Sequence, residues 1–143
     1  MVHRFENHDL TTEACGQFID ITDDVLATVE RSHVQNGQVV VFSPHTTCAV
    51  IINELEHGFL DDFRDFLDDL VPRNGSRTYR HDTHDGEEFP NGHSHVRTAL
   101  LSATSQTIPI VDSRPLLGTY QRVFFCELDR ARERKVFIQV TGE

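Results

Sequence analysis

Apolar positions along this chain recur with two periods, one of strands and one of helices. Residues 16–21 (GQFIDI) alternate as a half-buried strand does, and Thr22 with Asp23 then offers a cap and an acidic first turn. Val25, Leu26 and Val29 follow at helical spacing, predicting a helix through about Val34. Asn36-Gly37 marks a turn into residues 38–42 (QVVVF); Ser43-Pro44 interrupts that run, and residues 47–52 resume it with β-branched side chains. The pattern predicts two buried strands around a bend. Asn53 is placed to cap a helix whose apolar stripe is Leu55, Phe59, Phe63, Phe66, Leu67 and Leu70, with Asp61, Asp62, Asp65, Asp68 and Asp69 on a solvated face and Pro72 as its end. Those aspartates lack the loop spacing and central glycine of a calcium site. A short helix carrying Val96, Ala99, Leu100 and Ala103 is capped by Ser94 or Asn91. Strands over residues 107–111, 122–128 and 136–141 complete the chain, the last two joined as an antiparallel hairpin by the charged turn 129–135.

Strands dominate and do not alternate regularly with helices. That predicts an α+β fold over residues 1–143, a single domain of mainly antiparallel β-sheet, sandwich-like, with two to three helices. No apolar run approaches the roughly 18 residues of a membrane span, and the first residues lack the apolar core of a signal peptide. The expectation is a soluble, cytoplasmic protein with no membrane partner. Cys15, Cys48 and Cys126 are far apart with no CxxC pair, against a disulfide framework or zinc ribbon.

Charge narrows the partners. Thirteen Asp and ten Glu face twelve Arg and one Lys, for a net charge of −10. Such a surface repels nucleic acid, and the one basic run, residues 130–135, is broken by Ala131 and Glu133 and reads as a turn. Abundant Asp with almost no Lys also fits a halophilic source.

Residues 80–95 (RHDTHDGEEFPNGHSH) carry four of the nine histidines and four carboxylates with no sustained apolar period. Imidazoles and carboxylates bind divalent metals and move protons near neutral pH, so the segment reads as a site, with a solvated acidic connector as the alternative. His93-x-His95 in extended chain would present two imidazoles on one face, and His81 with His84 would do so on a helical turn. His45 sits at the bend between two buried strands beside Thr46 and Thr47. Asn53 and Glu54 lie at a predicted helix start, which favours anions, with Glu54 a candidate base. Residues 112–121 hold Arg114, Gly118, Thr119 and Gln121, a set suited to phosphate or carboxylate. No HExxH, Walker, GxGxxG or GxSxG pattern is present.

The segments PHTTCAVIINE (44–54), YRHD (79–82), NGHSHVRTALL (91–101) and SQTIPIVDSRPLLGTYQRVFFCELD (105–129), with a terminal TGE, together resemble the YjbQ-like family, whose members are often described as secondary thiamine-phosphate synthases. The resemblance implies an α+β fold with antiparallel sheets, a homotrimer and a histidine-rich cleft near the subunit interface. Residue by residue it implies His45, His81 and His95 as metal ligands, Zn²⁺ before Mg²⁺, with His45 and Glu54 catalytic. Thr46, Thr47, Asn53, Arg114, Gly118, Thr119 and Gln121 would hold a small phosphorylated molecule. The implied activity is a transferase of the thiamine-phosphate-synthase kind; the rivals are a metal-assisted phosphate-ester hydrolase and a non-catalytic metal- or anion-binding trimer.

Overall fold

The computed structural model describes residues 1–73, 77–83 and 89–143. Its elements run β1 (Val2–Thr11), β2 (Phe18–Asp20), α1 (Thr22–Ser32), β3 (Gly37–Phe42), β4 (Cys48–Glu54), α2 (His57–Leu70), a 3₁₀ turn (Arg80–Thr83), α3 (Gly92–Leu101), β5 (Ser105–Val111), β6 (Arg114–Pro115), β7 (Gln121–Glu127) and β8 (Glu133–Gly142). The strands form two sheets, β1-β8-β3-β5-β6 and β2-β7-β4, and every pairing is antiparallel. The α+β expectation holds.

The smaller sheet is buried on both faces, which is why residues 123–128 (VFFCEL) are all inaccessible instead of alternating. Successive side chains still point opposite ways. Val123 and Phe125 join Val39, Val41, Ile138 and Val140 in the core between the sheets, together with Val25 and Val29 of α1. Phe124, Cys126 and Leu128 face the other way, onto Leu67 and Phe63 of α2 and Leu101 of α3. All three cysteines are free.

Two elements, β1 and α2, differ from the sequence reading in ways that matter for packing. β1 does not show in the apolar pattern, because three of its four half-buried side chains, Arg4, Glu6 and His8, are polar and only Leu10 is apolar. They are satisfied by ion pairing: the Glu6 carboxylate accepts from Arg4 and Arg31 at 2.6 Å each and from the Thr28 hydroxyl at 2.9 Å, tying β1 to α1. Arg31's hydrogen bonds above all hold the Glu6 carboxyl far below the ordinary range, against its partial desolvation. α2 is capped by Glu56, whose carboxylate accepts the Gly58 and Phe59 N–H groups, so Leu55 lies outside the helix; Asn53 instead accepts the N–H of Glu54. The buried line of α2 runs through Leu60, Phe63 and Leu67, rotated from the predicted stripe, and leaves Phe66 59% and Leu70 52% exposed. Asp68 departs from the solvated face: it accepts from Arg97 at 2.6 Å and from Arg73 at 2.9 Å.

No helix among the described residues is long and apolar enough to cross a membrane.

Candidate functional site

Three chain segments meet beside the closed end of the smaller sheet. The first is the bend after β3, residues 44–47; its Thr47 carbonyl accepts the Leu128 N–H at 3.1 Å. The second is the 3₁₀ turn with the start of α3. Gly92 has no room for a β-carbon because the Tyr79 side chain lies against it, and its N–H donates to Asp82 at 2.7 Å. That contact brings the rings of His81 and His95 to 4.5 Å between centroids. The third is the turn from β7 into β8, joined to α3 by the Ser94 hydroxyl donating to the Leu128 carbonyl at 2.7 Å and by the Asn91 amide donating to Asp129 at 3.2 Å.

The space between them is a cavity of about 600 Å³. His45, His81 and His95 line it together with Arg130, Arg132 and Arg134, and Thr46, Thr47 and Asn91 add polar groups. Among the described residues no carboxylate lines it. The neutralising carboxylates stand behind. Glu127, fully buried, accepts from Nε and Nη2 of Arg134 at 2.7 Å each and from the Thr12 hydroxyl at 2.8 Å, while Arg134 also donates to the Thr47 hydroxyl at 3.0 Å. Asp129 accepts from Arg130 at 3.2 Å and Arg132 at 3.3 Å. Three guanidiniums against two carboxylates leave the wall cationic in a chain of net charge −10.

His45 is neutral here. The Lys135 N–H donates to its Nε2 at 2.9 Å, which requires that nitrogen to be unprotonated. Burial first, and the Arg134 charge second, hold its pKa below the ordinary value of 6.5. His93, which the extended-chain reading paired with His95, lies inside α3 and is buried, its Nε2 beside the Ser94 hydroxyl at 3.1 Å; burial depresses it also. The unfolded chain therefore binds more protons than the folded one just below pH 6.5, so stability present above that pH is lost as the pH falls toward the folded-state values. Asp20 and Asp68, also held low, add their losses only at carboxylate pH. The urea midpoint is expected to drop between pH 7.5 and 5.5; a flat midpoint across that window would contradict the neutral assignments.

The lone pair of His45 Nε2 is committed to Lys135, and among the described residues no group of three or more His, Cys, Asp or Glu is arranged to hold a metal ion. His84 lies outside the described residues. Asn53, Glu54, Arg114, Gly118, Thr119 and Gln121 are not brought to this pocket. In the β4–β7 ladder Cys48 pairs with Glu127 near the pocket and Glu54 with Gln121 at the other end, six residues or about 20 Å away. There Gly118 donates its N–H to the Gln121 side chain at 2.8 Å. The arginines escaped the sequence reading as a broken basic turn, and they do form the bend ahead of β8, with only Arg134 inside the strand.

A family model described as UPF0047 protein YjbQ-like matches residues 6–143. A UPF0047 protein of Methanothermobacter thermautotrophicus is 40% identical over 134 residues, 94% of this chain and 89% of its own. The crystal structure of a hypothetical protein from Aeropyrum pernix superposes with a TM-score of 0.86 at 33% identity, covering 98% of this chain and 99% of its own. A YbjQ-like protein of unknown function from Sulfolobus solfataricus gives 0.82 at 30% identity, with 99% of each chain covered.

Proposed function

Since the chain belongs to the UPF0047 YjbQ-like family, we propose that its histidine–arginine pocket binds the phosphate or diphosphate of a small molecule and supports transfer chemistry of the thiamine-phosphate-synthase kind. The observation that carries the reading is the convergence of Arg130, Arg132 and Arg134 on a cavity whose described lining holds no carboxylate. Guanidinium forks match phosphate oxygens, and the Thr46 hydroxyl stands at the same wall. In a transfer that expels pyrophosphate, negative charge grows on the leaving group, and fixed cations in a partly enclosed site stabilise it there. His45, neutral with its proton on Nδ1, is a hydrogen-bond donor on that side of the ring.

A second reading, Zn²⁺ or Mg²⁺ in the same pocket, rests on the 4.5 Å approach of the His81 and His95 rings. His45 would join them through Nε2 only by releasing the Lys135 N–H. The homotrimer that the resemblance implies belongs to the proposal as well: Glu54 and Gln121, at the far end of the β4–β7 ladder, would meet a histidine pocket only if another copy of the chain supplied it.

Isothermal titration with inorganic phosphate and pyrophosphate, on metal-analysed protein whose mass is read by light scattering, tests the reading. Saturable binding that survives chelation and weakens with salt is expected. Absence of binding at millimolar ligand would refute it. Stoichiometric zinc lost in His81→Ala and His95→Ala would establish the metal reading.

A further inference from the structure

The turn that carries the three arginines is held from outside. Residues 129–131 form bends, and the main chain on either side of them is tied to other segments: the Leu128 N–H donates to the Thr47 carbonyl at 3.1 Å, and Arg132 is gripped by Thr12, the residue that follows β1. The Thr12 N–H donates to the Arg132 carbonyl at 2.9 Å, which carries the β1–β8 register one residue further. A regular antiparallel pair would return the second bond to the Thr12 carbonyl. Here the Arg132 N–H goes to the Thr12 hydroxyl instead, at 3.0 Å. That hydroxyl has one proton to give. Glu127 Oε2 lies at 2.8 Å, the Arg132 carbonyl at 3.1 Å and the Arg130 carbonyl at 3.5 Å, and the proton goes to the nearest acceptor, which is also the charged one. The Glu127 carboxylate in turn takes two bonds of 2.7 Å from the Arg134 guanidinium. Thr12 thus links the main chain of one pocket arginine to the buried pair that fixes another, and it is itself 2% exposed.

We propose that Thr12 is a positioning residue of the cationic pocket. It does not line the cavity; it locks the Arg132 main chain against the Glu127–Arg134 pair, so that both guanidiniums are set before an anion enters. Groups ordered in advance do not have to be ordered at the expense of binding. The role rests on the phosphate reading of the pocket and adds to it the part of the fold that keeps the pocket in shape. Thr22 provides an internal contrast. Its hydroxyl does the same chemistry, accepting the Val123 N–H at 2.9 Å and donating to Asp20 at 2.6 Å, and it too is 2% exposed. It stands at the start of α1 and takes no part in the pocket.

The test titrates inorganic phosphate and pyrophosphate into wild type, Thr12→Val, Thr12→Ser and Thr22→Val, each at a urea concentration of zero and with its folding checked by a urea midpoint. Valine keeps the shape and the main-chain bond of Thr12 and removes the hydroxyl; serine keeps the hydroxyl. Thr12→Val is expected to weaken phosphate binding about five- to tenfold and Thr12→Ser to stay within about twofold of wild type, since one hydrogen bond separates them. Thr22→Val also loses a buried hydroxyl, so it is expected to lower the urea midpoint as Thr12→Val does while binding phosphate like wild type. Wild-type affinity in folded Thr12→Val overturns the proposal and leaves the phosphate pocket standing. Equal losses in Thr12→Val and Thr22→Val, or no recovery in Thr12→Ser, overturn it as well, because the loss then follows stability or side-chain size and not the hydroxyl. If wild type binds neither anion, the phosphate reading falls, and the Nε–Hε signals of Arg132 and Arg134 in ¹⁵N-labelled protein decide the positioning by themselves. It stands if Thr12→Val shifts them and Thr12→Ser and Thr22→Val do not; unmoved signals in Thr12→Val overturn it.

Discussion

Glu127→Ala is expected to destabilise the fold by about 3–5 kcal/mol, because it strands the Arg134 guanidinium in the interior. Glu127 is 0% exposed and Arg134 5%, and the carboxylate takes two hydrogen bonds from the guanidinium, one from Thr12 and one from the Asp129 N–H. Removing it leaves a buried cation still donating to the Thr47 hydroxyl, and it frees the turn that carries Arg130 and Arg132. The pair itself need not be a net source of stability, since desolvating two charges offsets much of their attraction. Glu127→Leu combined with Arg134→Met should therefore recover most of the loss while phosphate binding stays weak. Urea unfolding of the single and double variants separates the two roles. A loss below ~1 kcal/mol for Glu127→Ala would mean that the pair is hydrated and the turn is held by other contacts.

Nothing in the local pattern around Glu127 announced that pair. It sits in the run VFFCELD, where apolar continuity predicted a buried strand correctly but gave a carboxylate no stated partner. The partner is seven residues on, across the hairpin, and becomes visible only when the strands are paired. The same limit explains β1, whose inner positions are charged and are satisfied by Arg31 of α1, 25 residues away. Period-two and period-3.6 patterns reveal faces that are buried by being apolar; faces buried by ion pairing stay hidden to them. α2 was legible as a helix, but its apolar residues cover a wider arc than the three-stranded sheet accepts, so Phe66 was placed inward and lies outward. In the site, His45, His81 and His95 were named from composition and resemblance, and they line one cavity. His93 was paired with His95 on the premise of extended chain; α3 begins at Gly92, and helical geometry takes His93 into the interior.

Arg132→Ala is expected to weaken inorganic phosphate binding about 10- to 100-fold. A hydrogen bond to a charged group contributes roughly 1.5–3 kcal/mol, and each 1.4 kcal/mol is a factor of ten. Arg132 is the informative choice among the three arginines. Arg134 is tied into the buried pair with Glu127, and Arg130 lies over the Phe89 ring at 4.3 Å, so changes there also disturb packing. Arg132 has a half-exposed side chain paired with Asp129 at 3.3 Å, so its removal should leave the urea midpoint nearly unchanged. Arg132→Lys keeps the charge and loses the planar fork; it should recover only part of the affinity if phosphate is held by two parallel N–H donors. The salt dependence carries the remaining information. A partly open cationic pocket is screened over about 10 Å at 0.1 M salt, so wild-type affinity should fall as KCl rises, and Arg132→Ala should show a shallower slope. Equal affinities for wild type and Arg132→Ala, at matched stability and low salt, would remove the turn from the binding site and return residues 130–135 to the solvated hairpin that their sequence first implied.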